Sequence, residues 1–390
     1  MAAPFLAPAP VRRRAWLSRA LFQVHLWTGL AVGLYAVAIS LSGSILVYAP
    51  QLGEWAHQEL RQVAASDVAG REVLGPSEAL DRVRQVLQGR PLLNIQVAAE
   101  PRQAHVVGLL EQREYRVVFV HPITGQVSAP VHGRGAVIGW LERLHSNFFS
   151  GRPGRVANGI GGLLLVLLAA TGLVIWWPGR GRVARALRID WGAGWKRVVF
   201  DLHNALGVWL VVPVLVLSVT GAYFTWPQGY RDLVSRVSPV TSRAAPRSTE
   251  PPVAGAVVSL DAVIAQARRA EPALRSLRVD LPGGPRAPYV VVAARHPADN
   301  PRRSTTTFVD RYSGAVLEVR RGSQAQTWGD TVVEWLAPLH TGHFGGPVVH
   351  AVWALLGLAP TFLFLTGLVM WWNRVVVPRR RRARRSEAGA

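Results

Sequence analysis

Four histidines form two pairs, and the members of each pair recur at a fixed offset in the chain. His25 opens the segment His-Leu-Trp-Thr-Gly and His203 opens His-Asn-Ala-Leu-Gly, at an offset of 178 residues. His145 and His340 each end a Trp-Leu-x-x-Leu-His segment, at an offset of 195 residues. Because imidazole is a common metal ligand, two such pairs indicate two sites of similar chemistry.

The first pair lies inside long apolar stretches, where a polar side chain is costly and therefore a functional candidate. Two neutral imidazoles at matched depth can face each other across a gap, and a planar iron porphyrin with two axial histidines fits such a gap. The chain has no cysteine, which excludes disulfides, thiolate metal sites, iron–sulfur clusters and covalently attached haem. Met370 is the only methionine beyond the initiator, so His/Met ligation is disfavoured.

We therefore predict two haem b groups, one held by His25 and His203 and the other by His145 and His340. A lone histidine near a helix end is more often an interfacial polar residue, and the pairing is what favours ligation. Zinc or copper is the rival metal, but neither pair has a third nitrogen or carboxylate at ligand spacing. No catalytic residue apart from these ligands is predicted.

Other polar residues near the outer pair have open roles. His343 could replace a ligand, support one or contact a substrate, and His350 could simply lie at the membrane interface; their counterparts at the 195-residue offset are Phe148 and Arg155. Arg152 and Arg155 could pair with haem propionates or be ordinary interfacial arginines. The remaining histidines follow no common pattern and are expected to be ordinary surface or core residues: His57, His105, His121, His132 and His296.

The histidines lie in or near four long stretches without charged residues. The stretches run from Arg19 to Glu54, Arg155 to Arg180, Asp201 to Arg231, and Glu334 to Arg374. Each is long enough for the roughly 20 residues of a bilayer crossing. The first apolar core is too long for a cleaved signal peptide, so we expect it to be retained.

Arginines flank the predicted spans on one side. They cluster before the first span, between the second and third, and after the fourth. The positive-inside rule places these segments, and both termini, in the cytoplasm. Most of the net charge of +21 is thereby explained by topology, so nucleic-acid binding is not expected.

Further matches share the two offsets. Ser40-Leu-Ser-Gly43 corresponds to Ser218-Val-Thr-Gly221, and Thr171-Gly-Leu-Val-Ile-Trp-Trp177 to Thr366-Gly-Leu-Val-Met-Trp-Trp372. The predicted fold is an α-helical membrane protein, a four-helix transmembrane bundle of two tandem parallel repeats with two external α+β domains. We predict a basic cytoplasmic N-terminus at 1–20, a cytoplasmic loop at 178–198 and a basic tail at 373–390. The four spans are predicted at 21–48, 156–177, 199–226 and 348–372. The external domains are predicted at 49–155 and 227–347, with interfacial helices at 136–149 and 328–341.

Each external segment is predicted to form one helix followed by strands. In the first, Ser77 is expected to cap a helix through Leu87, and strands follow near 95–98, 105–110 and 115–120. In the second, a helix near 260–270 precedes strands near 277–281, 289–294 and 306–309. Glycine turns are expected at Gly125 and Gly314.

The histidine that opens the first span, the later Ser-x-Ser-Gly, the Leu-His before the second span and the Thr-Gly-Leu-Val-x-Trp-Trp endings together resemble PepSY-associated transmembrane proteins. The resemblance covers about residues 18 to 376, and the external segments resemble PepSY domains. This family includes iron-regulated membrane proteins, some of which act as di-haem ferric-siderophore reductases of the bacterial inner membrane. By that resemblance, His25, His145, His203 and His340 match the family's recurring histidines.

The resemblance implies a haem-dependent ferric-siderophore (ferric-chelate) reductase in the inner membrane, which receives electrons from a separate flavoprotein or quinol. Some relatives carry a fused flavin reductase module that is not present in this chain. The siderophore, the donor and the oligomeric state stay open. Two alternatives remain: a membrane-anchored PepSY regulatory or binding module without redox activity, and a cytochrome b that serves another periplasmic acceptor.

Overall fold

The computed structural model describes residues 10–112, 114–241, 244–249, 257–270, 276–294 and 304–379. His296 and the arginines beyond residue 379 lie outside these ranges. Within them the chain folds into apolar helices and a separate antiparallel sheet domain. The protein is therefore a helical membrane protein that carries a sheet domain.

Three helices in the described ranges are long and apolar enough to cross a membrane. They are Trp16–Leu46, Gly151–Trp176 and Pro347–Arg379. A fourth candidate is the pair Trp195–Trp209 and Val211–Tyr223, which is bent by 59°. Many large apolar side chains on these helices are exposed, including Leu34, Val212 and Leu355, as expected for surfaces that contact lipid.

The bend between Trp195–Trp209 and Val211–Tyr223 has a local cause. The sequence predicts one helix over 199–226, whereas the structure has two helices that meet at Leu210. Pro213 carries no backbone N–H, so the carbonyl of Trp209 loses its helical partner, and the proline ring crowds the preceding turn. The residue at the 178-residue offset is Tyr35, and the first helix continues through it without a break.

The strands form one sheet in the order β3-β2-β1-β4-β5-β6-β7. The sequence predicts two separate external domains, and the structure corrects this: β1 pairs with β4 antiparallel, with Ile95 opposite Val279. Unpaired edge strands expose backbone donors and acceptors, and joining the two edges satisfies both. The strands are β1 Leu92–Val97, β2 His105–Glu111, β3 Glu114–Val120, β4 Ser276–Asp280, β5 Tyr289–Ala294, β6 Thr305–Val309 and β7 Val316–Arg321.

The helices are numbered in chain order. They are α1 Pro10–Leu46, α2 Ala49–Ala56, α3 Gln58–Arg61, α4 Ala65–Val68, α5 Pro76–Val86, α6 Ala136–Asn147, α7 Gly151–Trp176, α8 Val183–Ala186, α9 Trp195–Trp209, α10 Val211–Tyr223, α11 Pro227–Ser235, α12 Leu260–Ala270, α13 Trp328–Thr341, α14 Pro347–Gly357 and α15 Ala359–Trp371. A 3₁₀ turn at Arg180–Arg182 and a π-helical turn at Trp372–Val376 complete the set.

The core of the sheet domain lies between the sheet and the two amphipathic helices α5 and α12. Val83 and Val263 are fully buried there against Ile95 and Val279, because apolar residues alternate along each strand and recur at helical spacing. The expected cap by Ser77 is not found, since Gly75 precedes α5 without a side-chain bond. Ser77 instead accepts a hydrogen bond from the backbone N–H of Asp261, at 3.1 Å, which links the two helices.

Candidate functional site

Two cavities lie between the apolar helices, one toward each end. The cavity lined by His25 and His203, which we call the inner cavity, has a volume of about 620 Å³. Its other lining side chains are mostly apolar and come from α1, α7, α9 and α15. The outer cavity has a volume of about 830 Å³ and is lined by His145 and His340. The structure thus places both members of each predicted pair in one cavity.

The inner histidines come from different helices and use the same kind of partner. His25 lies on α1, and its Nδ1 is 3.1 Å from the hydroxyl of Thr171 on α7. His203 lies on α9, and its Nδ1 is 2.8 Å from the hydroxyl of Thr366 on α15. Each ring is therefore fixed by a hydrogen bond to a neighbouring membrane helix.

The outer histidines repeat this arrangement from the short helices that precede α7 and α14. The Nδ1 of His145, on α6, is 3.1 Å from the hydroxyl of Ser42 on α1. The Nδ1 of His340, on α13, is 3.2 Å from the hydroxyl of Thr220 on α10. The two ring centroids are 6.0 Å apart, with an angle of 43° between the ring planes.

Backbone carbonyls determine the tautomer of the outer pair. The carbonyl of Ile39 lies 3.1 Å from Nδ1 of His145, and the carbonyl of Leu217 lies 3.1 Å from Nδ1 of His340. A carbonyl only accepts, so the Nδ1 atoms carry the protons and donate. In a neutral imidazole the other nitrogen, Nε2, then has an unshared lone pair.

The hydroxyl groups lead to the same tautomer at the inner pair. Thr171 donates its hydroxyl proton to the carbonyl of Leu167 at 2.7 Å, and Thr366 donates to that of Phe362 at 2.9 Å. With their protons used, both oxygens accept from the ring, so Nδ1 is again the protonated nitrogen. All four histidines are thereby left with an Nε2 that can bind a metal.

A glycine lies beside each of the four rings. A Cβ atom added to Gly43 would be 2.7 Å from Cε1 of His145, and one added to Gly221 would be 2.9 Å from Cε1 of His340. At Gly172 and Gly367 the same distances to His25 and His203 are 3.0 and 3.3 Å. The glycines in the repeated motifs therefore leave room for the imidazole rings.

A thin layer of side chains separates the two cavities. Four residues line both of them: Ala36, Leu165, Val214 and Pro360. They form two pairs at the same offsets as the histidines, with Ala36 corresponding to Val214 and Leu165 to Pro360. The cavities are thus neighbours along the bundle, one side chain apart.

Local contacts hold the helices that carry the outer histidines. Helix α13 begins at a capping box of Thr327 and Asp330. The hydrogen bond from the Thr241 side chain, with further bonds from backbone N–H groups, lowers the pKa of Asp330 to about 2. Asn158 on α7 donates to the carbonyl of His145 at 2.7 Å, and Trp353 on α14 donates to that of Leu339 at 2.6 Å.

Of the other residues proposed from the sequence near the outer histidine pair, some line the outer cavity and others do not. Arg155 and His343 line it, together with Arg134, whereas Arg152 and His350 are not part of its lining. In the described ranges no three histidine, aspartate or glutamate side chains come together as a metal cluster. Each histidine pair therefore offers two nitrogen ligands, with no third histidine or carboxylate grouped with it among the described residues.

The external histidines have structural partners. His57 lies 2.8 Å from the carbonyl of His132 through Nε2, and His105 lies 3.1 Å from the carbonyl of Leu74. Burial lowers the pKa of His105 and of His132, so both are neutral at pH 7. The Nδ1 of His121 accepts from the backbone N–H groups of two residues in the following turn.

The hydroxyl partners of the four histidines are functional residues that the sequence analysis did not single out. Their motifs were visible as repeats, but no role had been assigned to Ser42, Thr171, Thr220 or Thr366. The available signal was that a hydroxyl side chain directly precedes a glycine in all four motifs. Such a pair offers a hydrogen-bond acceptor beside room for a ring.

We predict that Gly43→Ala destabilises the protein by about 1–3 kcal/mol, because the added Cβ overlaps the His145 ring and overpacking of a tight site has this cost. Gly207→Ala is the matched control, since its Cβ would lie 3.8 Å from Leu363 in ordinary contact. Thermal unfolding in detergent measures the difference. Equal melting temperatures for the two variants would contradict the proposed role of Gly43.

Comparison with known proteins gives two results. A family model described as the PepSY-associated TM region matches residues 22–374. Uncharacterized protein PA4219 of Pseudomonas aeruginosa is 27% identical over 257 residues, which cover 60% of this chain. The match spans 63% of that relative's length, and the relative's name states no activity.

Proposed function

The chain belongs to the family of proteins with a PepSY-associated transmembrane region, and on that premise we propose that it is a di-haem oxidoreductase of the bacterial inner membrane. It receives electrons from a cytoplasmic flavoprotein or from quinol and reduces a ferric siderophore or another ferric chelate outside. Hard oxygen donors bind ferrous iron less tightly than ferric iron, so reduction releases the metal.

One observation carries the proposal: four half-buried imidazoles, in two cavities, have hydrogen-bond partners that place the proton on Nδ1, so that each presents Nε2 as a ligand. Structural histidines need no such agreement of tautomer. In metal sites, by contrast, the second ring nitrogen usually donates to a fixed oxygen. The Ser and Thr hydroxyls and the backbone carbonyls of this chain supply that oxygen four times.

The dimensions of the cavities are compatible with haem b. Cofactor sites have volumes of roughly 300–1,000 Å³ and mostly apolar walls, and both cavities lie in this range at about 620 and 830 Å³. Two imidazoles on opposite sides of one metal, with metal–nitrogen bonds of about 2 Å, have ring centroids roughly 6 Å apart. His145 and His340 have that separation, 6.0 Å, with no third protein ligand nearby.

The proposed topology has four spans, with α9 and α10 together forming the third, in two tandem parallel repeats. The basic segments before α1, between α7 and α9, and after α15 face the cytoplasm under the positive-inside rule. The sheet domain then lies outside the inner membrane, next to the outer cavity. The spans α1 and α10 pack against α7, and α9 packs against α15, which closes the bundle around the cavities.

Haem b, when bound, supplies reversible one-electron redox chemistry at each cavity. The residues of this chain hold the ligand nitrogens in place and keep the two sites one side chain apart, through Ala36, Leu165, Val214 and Pro360. An apolar layer of this kind also excludes water between the sites. With a haem in each cavity, this spacing would divide electron transfer across the bilayer into short steps.

Basic side chains are part of the lining of both cavities and would hold the carboxylates of a porphyrin. Lys196 and Arg374 line the inner cavity, and Arg134 and Arg155 line the outer one. A guanidinium binds a carboxylate through two parallel hydrogen bonds, so these residues are suited to orient the propionates. Of the two arginines proposed from the sequence, Arg155 is the one in the lining.

We predict that His145→Ala or His340→Ala lowers the haem content from two per chain to one and abolishes reoxidation of the dithionite-reduced protein by a ferric trihydroxamate chelate. His25→Ala and His203→Ala should each remove the other haem. The pyridine haemochrome assay measures the stoichiometry, and absorption at the haem bands follows reoxidation.

His121→Asn is the control for these variants, because it replaces an external histidine and retains an acceptor for the turn. If His145→Ala and His340→Ala both keep two haems and full chelate reduction, the outer site is wrongly assigned. A colourless wild-type protein from haem-replete cells would favour a regulatory PepSY module instead. Two haems without chelate reduction would favour a cytochrome b with another acceptor.

We predict that Thr366→Val raises the reduction potential of one haem and leaves the other unchanged. The bond from Nδ1–H of His203 to Thr366 makes the imidazole more electron-donating and so stabilises ferric iron; valine has a similar shape but cannot accept. Thr366→Ser, which keeps the hydroxyl, should restore the potential. A potentiometric titration in which Thr366→Val matches the wild type would contradict this role.

A further inference from the structure

His343 and His350 form a histidine pair outside the two pairs described above. His343 lies in the turn between α13 and α14, and His350 lies near the start of α14. Their ring centroids are 5.0 Å apart, with an angle of 58° between the ring planes. Phe148 and Arg155 occupy the corresponding positions of the first half, so this pair exists only in the second half.

One ring nitrogen of the pair has no partner in the part of the protein that the structure describes. Nε2 of His343 is buried and has no hydrogen-bond partner there, which is unfavourable for a polar atom. The His350 ring is 8% exposed and stands edge-on to Tyr48, at 6.4 Å between centroids. An unsatisfied buried nitrogen beside a second buried imidazole indicates a ligand between or next to them.

The spacing of the rings fits neighbouring positions on one metal ion. Two imidazoles bound at a tetrahedral angle, with metal–nitrogen bonds of about 2 Å, have centroids roughly 5 Å apart. The outer haem candidates, at 6.0 Å, instead match opposite positions. The two pairs therefore differ in the separation of their rings.

We propose that His343 and His350 form a two-nitrogen binding site for a divalent transition-metal cation at the rim of the outer cavity. Imidazole nitrogen suits the late first-row ions and Fe²⁺. No third histidine, aspartate or glutamate joins the pair in the part of the chain that the structure describes, so water or chelate oxygens fill the other positions. Such a site binds weakly and exchanges its ion.

His343 lines the outer cavity, whereas His350 does not, so the pair leads from the cavity wall toward the start of α14. Ferrous iron is a cation of the class that this site takes. That it would receive iron released at the outer cavity rests on the proposed function. The metal site itself rests on the two rings and their spacing.

The test is a titration of tag-free, full-length protein, as purified in detergent, with Co²⁺, in which bound Co²⁺ is measured by equilibrium dialysis and metal analysis. We expect one Co²⁺ per chain in the wild type. His343→Phe introduces the residue found at the corresponding position of the first half, and it should weaken Co²⁺ binding at least tenfold. His350→Gln should do the same, and His121→Asn should bind Co²⁺ like the wild type.

Three results would overturn the site: no Co²⁺ binding by the wild type, equal Co²⁺ affinity in His343→Phe, or a change of the haem bands in His343→Phe, which would make His343 a haem ligand. The results distinguish a failure of the metal site from a failure of the proposed reductase function. If a protein without haem binds Co²⁺ through His343, the metal site is supported and the proposed reductase function is contradicted. Two haems and chelate reduction without Co²⁺ binding remove only the metal site.

Discussion

The hydrogen bond at Nδ1 of each cavity histidine is the constraint on which the rest of the membrane region depends. It needs an acceptor that has already used its own proton, or a carbonyl that has none. Helices supply both, because a serine or threonine hydroxyl can donate to the carbonyl one turn earlier and then accept from the ring. Gly43, Gly172, Gly221 and Gly367 follow from the same constraint, since the ring must come close to the helix that holds it.

The two halves of the chain share this arrangement and differ around it. The second half has Pro213 next to the bend between α9 and α10 and Pro360 at the start of α15, where the first half has Tyr35 and Leu165. Pro360 also lies in the layer between the cavities. The histidine pair at the outer rim belongs to the second half alone. The four histidine positions thus follow the repeat, while the residues around the outer cavity do not.

The sequence predicted those parts of the fold that depend on local pattern. The helices at 260–270 and 328–341 and the strand at 289–294 have the same bounds in the structure, because periodicity and caps are encoded locally. The pairing of β1 with β4 joins residues that are distant in the chain, such as Ile95 and Val279. No local pattern specifies that choice of partner, so the single sheet was missed.

For the site, the offsets identified the histidines, and the structure brings each pair into one cavity. Haem binding stays a prediction. In the sequence the four hydroxyl residues were visible only as positions in the repeated motifs. Their hydrogen bonds to Nδ1 depend on which helices pack against each other, and the sequence does not show that. The Ser77 contact was likewise misassigned, because a serine near a helix start usually caps its own helix, whereas this one caps the neighbouring helix.

The most direct test of the account is low-temperature electron paramagnetic resonance of the oxidised, detergent-purified wild-type protein, with the iron content measured on the same sample. Four Nδ1-protonated histidines in two cavities predict two low-spin ferric signals, each typical of two imidazole ligands, and two haem irons per chain. A high-spin signal, a single haem, or the absence of haem iron would contradict the assignment of the histidines as two pairs of axial ligands.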